Sequence, residues 1–290
     1  MHKQIAANKR NTVLIMAGFI LFVGLIGGVV ANLSGSWAML WMFLGIAVVY
    51  ALIQYFAAGK LAVMMTGAKE VQKSDNPRLY GVVEKLSVEA KLPMPRVYEI
   101  KDAAPNAFAT GRNPKCAIVA ATTGLMEIMD DKELAAVMAH EMSHVKNYDI
   151  RVSMIVFGLV CVIGLISDLG LRMLFYGGSR GGENKSPIGL IIAFATVILA
   201  PITAMLVQMA ISRQREYLAD SSAAALTKRP DGMIAALKKL DAHARPMHQQ
   251  NAATEALFIA NPLKKSFLTN IFSTHPSMEK RIERLENAKK

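Results

Sequence analysis

No charged side chain occurs from Asn11 to Gly59, and the string Leu33-Ser34-Gly35-Ser36 divides that run into two apolar halves, Asn11–Leu33 and Ser36–Ala58. Each half is close to the ~20 residues a membrane-spanning helix needs. Lys3, Lys9 and Arg10 precede the first half and the short connection carries no charge. The positive-inside rule then puts the N-terminus and everything after Lys60 in the cytoplasm. A cleaved signal peptide fits less well, because no small-residue cleavage site leads from the first run into a soluble segment. Two later runs share the pattern. Val152–Ser167 is uncharged but only marginally long, and it continues through Asp168 and Arg172, an i,i+4 pair able to neutralise itself. Pro187–Ser212 is uncharged and comfortably long, with Pro201 predicting a kink. The glycine-rich stretch Gly177–Asn184 links the two as a flexible connection. Four spans return the chain to the cytoplasm, where Arg213 and Arg215 agree with the charge rule.

The intervening segments alternate in a soluble manner. Pro77–Lys91 carries Leu79, Val82, Val83, Leu86 and Ala90 at helical spacing, with Pro77 suited to a first turn. Arg96–Ile100, Asn106–Thr110 and Cys116–Thr122 read as short strands, with Gly111–Lys115 as the turn between the last two. Asp130 and Glu133 have the spacing of a capping box and mark the start of a helix. Arg213–Leu226, Asp231–Leu240 and Pro276–Glu286 predict three further helices, with Asp231 as a cap. His243–Asn270 reads as irregular apart from an apolar piece at Ala256–Ala260. The expected fold is mainly α with a small β-sheet, an α+β arrangement. It divides into a membrane hairpin (1–59), a first catalytic portion (60–151), a second hairpin (152–212) and a second catalytic portion (213–290).

Composition narrows the class. The chain is 53% hydrophobic and only 19% charged, which leans toward a membrane protein. Its net charge of +11 is explained by lysines and arginines flanking the spans, since no aromatic-interleaved basic patch or nucleic-acid motif occurs. Cys161 lies inside a hydrophobic run, so a bridge to Cys116 is not expected.

The chemistry is concentrated in His140-Glu141-Met142-Ser143-His144, an H-E-x-x-H string on the predicted helix. Residues four apart share a helix face, so the two imidazoles can grip one metal ion. Glu141 stands beside them, placed to take a proton from a water on that metal. A hydrolytic zinc site has three protein ligands and one open position. The third ligand is one of His2, His243, His248 and His275, or a carboxylate. Glu216 is the best candidate, because the helices of His140 and Glu216 would be cytoplasmic extensions of neighbouring spans. In that picture the His140 helix runs directly into the third span. Asp220, one turn after Glu216, either orients a ligating histidine or is an ordinary surface aspartate.

These motifs resemble the HtpX-type membrane zinc metallopeptidases, relatives of the CAAX prenyl endopeptidases. The likeness covers nearly the whole chain: two N-terminal spans, Asn106-Ala107-Phe108-Ala109-Thr110-Gly111, the H-E-x-x-H helix, a hairpin, Arg213-x-x-Glu216-x-x-Ala219-Asp220, and Thr274-His275-Pro276 followed by Arg281-Ile282. The resemblance implies a gluzincin-like core at the membrane surface, one Zn2+ held by His140, His144 and Glu216, and Glu141 as general base. It also implies ATP-independent endoproteolysis of membrane proteins, typically misfolded ones, with the lipid bilayer and peptide segments as partners and no nucleic acid. In the family pattern His275 faces the active site, where it could hydrogen-bond the oxyanion. Asn106–Thr110 would bind substrate by strand addition, with Asn106 and Ala109 as contacts. Arg281 would anchor a nearby carboxylate or bind substrate. A CAAX-type processing enzyme is the first rival, but four spans are too few for a large intramembrane chamber. A scaffold with a structural metal is the second, and such sites usually have four protein ligands.

Overall fold

The computed structural model describes residues 2–161, 213–249, 254, 257–261 and 276–288. Helix α1 (His2–Ser34) and helix α2 (Ala38–Thr66) pack against each other across a tight turn at Gly35, whose φ of +67° suits glycine. Their approach is close: a Cβ on Gly27 would fall 2.7 Å from the Cβ of Phe43. Both helices are long and apolar enough to cross a membrane. Their large side chains point outward rather than into a core: Leu21 is 65% exposed, Phe56 64% and Trp41 70%. That is the pattern of a lipid-facing surface and not of a soluble interior. Helix α2 does not stop at the apolar boundary near residue 59 but runs on through Lys60 to Thr66, where Gly67 caps it in a left-handed conformation.

Beyond α2 the chain forms β1 (Lys69–Glu70), α3 (Pro77–Ala90), β2 (Arg96–Ile100), β3 (Ala107–Thr110) and β4 (Ile118–Thr122). The short helix α4 (Thr123–Ile128) follows, and then α5 (Asp131–Asn147). A further helical stretch, α6, covers 149–161. The later described helices are α7 (Arg213–Thr227), α8 (Pro230–Ala242) and α9 (Met278–Asn287). The sheet has the order β1-β2-β4-β3, with β2 and β4 parallel and the outer pairs antiparallel, so β3 is an edge strand.

Strand periodicity sends alternate residues to opposite faces, and here both faces are covered. Val97, Ala107, Ala109, Val119 and Ala121 join a core built with α3, α5, α7 and α8. Tyr98, Ile100, Phe108, Ile118 and Ala120 join a second core with Ala58 and Ala62 of α2 and with Val152–Phe157 of α6. The sheet therefore lies between the α5 bundle on one face and the C-terminal part of α2 with α6 on the other. Burying one large aliphatic or aromatic side chain of this kind contributes about 1.5–3 kcal/mol, so the two layers are firmly joined.

Three expectations need correction. Asp231 does not cap α8: Pro230 occupies the first turn and Arg229 is the cap residue. The α5 helix does not run straight on toward the third apolar run. Tyr148, with φ of +62°, ends it in a left-handed cap before α6 begins. The strand expected from Cys116 begins at Ile118, because Pro114–Cys116 forms a 3-10 turn. The part of the third expected span beyond residue 161 and all of the fourth fall outside the described residues.

Candidate metal centre

Helix α5 is fixed at its start by a complete capping box. The Asp130 carboxylate accepts from the backbone N–H groups of Lys132 and Glu133, and the Glu133 carboxylate accepts from the N–H of Asp130. Lys239 of α8 donates to Glu133 at 2.6 Å and to the Ile128 carbonyl at 2.9 Å, tying the cap to the next helix. From Leu134 to Ser143 the helix is buried except at Ala135, so the backbone from which His140 projects is held firmly in place.

The two imidazoles stand with their Nε2 atoms 3.1 Å apart. Glu216, one turn into α7, brings Oε2 to 3.5 Å from His140 Nε2 and Oε1 to 3.5 Å from His144 Nε2. The three donors lie within 4.8 Å of one another. Donors placed about 2.0–2.2 Å from a tetrahedral zinc ion sit roughly 3.4 Å from each other. The observed separations match that value, and two imidazole nitrogens plus one carboxylate suit a borderline-soft divalent ion. Among the described residues this is the only cluster of three metal-binding side chains.

Each histidine has a carboxylate behind it. Asp220 Oδ1 lies 2.9 Å from His140 Nδ1, and Asp149 Oδ2 lies 3.0 Å from His144 Nδ1. With an ion in place these contacts would keep the ring proton on Nδ1 and turn Nε2 toward the cluster. Burial opposes a charged His140, but the hydrogen bonds to Asp220 and Glu216 outweigh it and hold the metal-free ring at about 9. Burial likewise pushes the Asp220 carboxyl up, and the Arg281 guanidinium and the His140 contact more than reverse it, to about 2. Arg281 is fully buried on α9. Its Nε and Nη2 donate to the two oxygens of Asp220 at 2.8 and 2.7 Å, and Nη1 lies 3.8 Å from Glu216 Oε2. Glu141 is 2% exposed, and burial above all raises its carboxyl above the ordinary range against the opposing pull of His140 and His144.

The structure thus brings His140, Glu141, His144, Glu216, Asp220 and Arg281 into one cluster. The Arg281 guanidinium is fully buried and meets the Asp220 carboxylate with two hydrogen bonds. Asn106 precedes β3 and is buried. Its amide nitrogen donates to the Ala260 carbonyl at 2.9 Å and its amide oxygen accepts from the Ala260 N–H at 3.2 Å. Phe258 pairs antiparallel with Phe108, and the Ile259 N–H donates to the Ala107 carbonyl. The chain's own 258–260 segment therefore lies along the outer edge of β3, where Ala109 also sits. His275 falls outside the described residues. Asp149 was missed in the sequence because an unbroken helix would turn it away from His144; the left-handed Tyr148 is what brings it back.

Two histidines one helical turn apart and a carboxylate from a later helix stand where they could hold one metal ion, with a buried glutamate beside them, the donor set a metallopeptidase requires. The Peptidase family M48 profile matches residues 73–289, and the chain belongs to that family. Within it the likeness is to the HtpX type. A "Protease HtpX homolog" of Tropheryma whipplei (strain Twist) is 52% identical over 286 residues, covering 99% of this chain and 98% of the relative. Homologs of the same name from Streptococcus gordonii and Listeria monocytogenes are 44% and 42% identical over 98–99% of this chain. The crystal structure of S. mikatae Ste24p matches 98% of this chain and 66% of its own with a TM-score of 0.51 and 18% identity, a likeness of fold. The protein is a membrane metallopeptidase with an α+β catalytic fold.

Proposed function

We propose that this peptidase is a zinc endopeptidase that cleaves exposed segments of membrane proteins at the cytoplasmic face, in the service of membrane protein quality control. The observation that carries this reading is the convergence of His140, His144 and Glu216 at ligand spacing with the buried Glu141 carboxylate beside them. A His, His, Glu set with one position left open is the donor arrangement of hydrolytic zinc sites. When bound, the ion supplies Lewis acidity, acidifying a water and polarising the scissile carbonyl.

The chain's own residues do the rest. Glu141 takes the proton of the attacking water and delivers it to the leaving amine. Burial raises the Glu141 carboxyl above the ordinary range, which makes it a stronger base for taking that proton. Asp220 and Asp149 fix the ring tautomers of His140 and His144. His275 is assigned to the oxyanion on its Thr274-His275-Pro276 motif alone. An extended substrate pairs with β3, so Ala109 and Asn106 meet it in competition with Phe258–Ala260. The cytoplasmic placement follows from Lys3, Lys9 and Arg10 before α1. Quality control is the inference from a site close to the ends of lipid-facing helices, joined to the HtpX likeness.

The test is Glu141→Gln in the full-length protein. Zinc content should stay at one ion per chain while cleavage of an unfolded membrane-protein substrate falls at least ~100-fold. Unchanged turnover would end the proposed role of Glu141.

A further inference from the structure

We propose that Asn8, on the first membrane helix, is a positioning residue of the metal centre that acts on His144 through Asp149. The inference rests on the reading of His144 as a metal ligand. Asn8 is 4% exposed although it lies near the start of a helix that becomes lipid-facing a few residues later. A buried amide is costly unless its hydrogen bonds are made, and the Asn8 amide nitrogen makes two. It donates to Asp149 Oδ1 at 2.6 Å and to the Asn147 carbonyl at 2.9 Å. The second bond satisfies one of the carbonyls that the end of α5 leaves open. The first fixes the carboxylate whose other oxygen faces His144 Nδ1 at 3.0 Å.

Asp149 lies outside α5, beyond the left-handed Tyr148, so the helix does not dictate where its carboxylate points. Arg215 Nη1, 3.8 Å from the same Oδ1, gives it charge but at a longer distance. The contrast with the other histidine is informative. Asp220 is held by Arg281, a residue of the catalytic fold itself. Asp149 takes its short directional bond from a membrane helix. The seat of α1 is therefore part of the grip on the metal.

The experiment is a zinc competition titration of full-length protein in detergent against a chromophoric chelator, with the Co2+ absorption spectrum as a second readout. Removing an outer carboxylate behind a ligand histidine costs about 10–100-fold in metal affinity, and Asp149→Ala should fall in that range. Asn8→Ala should weaken zinc binding about threefold to tenfold. Asn8→Asp, of the same size but without the donor, should weaken it at least as much. The double variant Asn8→Ala/Asp149→Ala should be no weaker than Asp149→Ala alone, because residues acting through one contact are not additive. Thr12→Val, one turn further along α1 and equally buried, should leave affinity unchanged. Zinc binding by Asn8→Ala and Asn8→Asp equal to the parent, an additive double variant, or an equal loss in Thr12→Val would each overturn the role of Asn8. Those outcomes spare the metal centre; a parent protein that takes up no zinc would bring down both.

Discussion

Replacing Arg281 with methionine keeps the bulk of a fully buried side chain and removes its charge. Asp220 would then be left at 2% exposure with His140 as its remaining partner among the described residues, and Glu216 would lose a cation 3.8 Å away. Breaking one side of a buried ion pair costs about 3–5 kcal/mol, because the surviving charge stays desolvated. Against the opposing effect of burial, Arg281 and His140 together hold Asp220 at about 2 against an ordinary 3.8, which is the sign this cost requires. A loss of about 3 kcal/mol is equivalent to a melting temperature lower by about 6–12 °C for a domain of this size. The assay is thermal melting of the metal-free protein in detergent, followed by far-ultraviolet circular dichroism. The sign with pH is fixed as well. A carboxylate with a depressed folded-state value contributes stability above its unfolded value and loses it as pH falls. The gap between parent and Arg281→Met should therefore narrow between pH 3.8 and about 2. Adding Asp220→Asn should recover part of the loss, a coupling of about 1–3 kcal/mol. A melting temperature within ~2 °C of the parent, or strict additivity in the double variant, would show that the bidentate contact carries no such energy.

Two further outcomes bear on the ligand set. Glu216→Ala should lose at least ~100-fold in zinc affinity, as measured by metal content after dialysis against a weak chelator; full occupancy would reassign the third ligand. Because the metal-free His140 ring is held at about 9, an incoming ion must displace its proton below that pH. Apparent zinc affinity should then rise about tenfold per pH unit from 7 toward 9 and level off above. A flat dependence over that window would mean His140 is already neutral. Asp220→Asn, which removes a contact that raises the ring's proton affinity, should move the levelling point to lower pH.

What could be read from the sequence was what depends on fixed local spacing. His140 and His144 had to share a face of α5, and Asp130 with Glu133 had to start it. The apolar period of Leu79, Val83 and Leu86 placed α3 within a residue of its observed end. Elements too short for any period escaped notice: β1 has two residues and α4 six. The break at Tyr148 was hidden for another reason, since nothing in a tyrosine announces a left-handed backbone. Pro230 marks the start of α8 by its fixed φ, and this puts Asp231 inside the first turn rather than at the cap. The long-range partners had no local signature. Arg281 and Asp220 are 61 residues apart, and Asn8 is 141 from Asp149, so the pairing of each depends on how the helices pack.

The buried polar groups of this site are not there for stability alone. Replacing a buried ion pair by well-packed apolar residues of similar volume is often neutral or favourable, yet Arg281, Asp220, Glu216, Asp149 and Arg215 are all less than a tenth exposed. What they supply is direction. With Nδ1 of each ring held by a carboxylate, both imidazoles face the same point and Glu216 closes the third side. The two carboxylates are themselves held from opposite parts of the chain, Asp220 by the C-terminal helix α9 and Asp149 by the N-terminal helix α1. Neither end of the sequence can be withdrawn without freeing one histidine to rotate. Ligand geometry therefore forms only when the membrane hairpin and the later helices have both docked on α5, and metal affinity becomes a direct measure of that assembly.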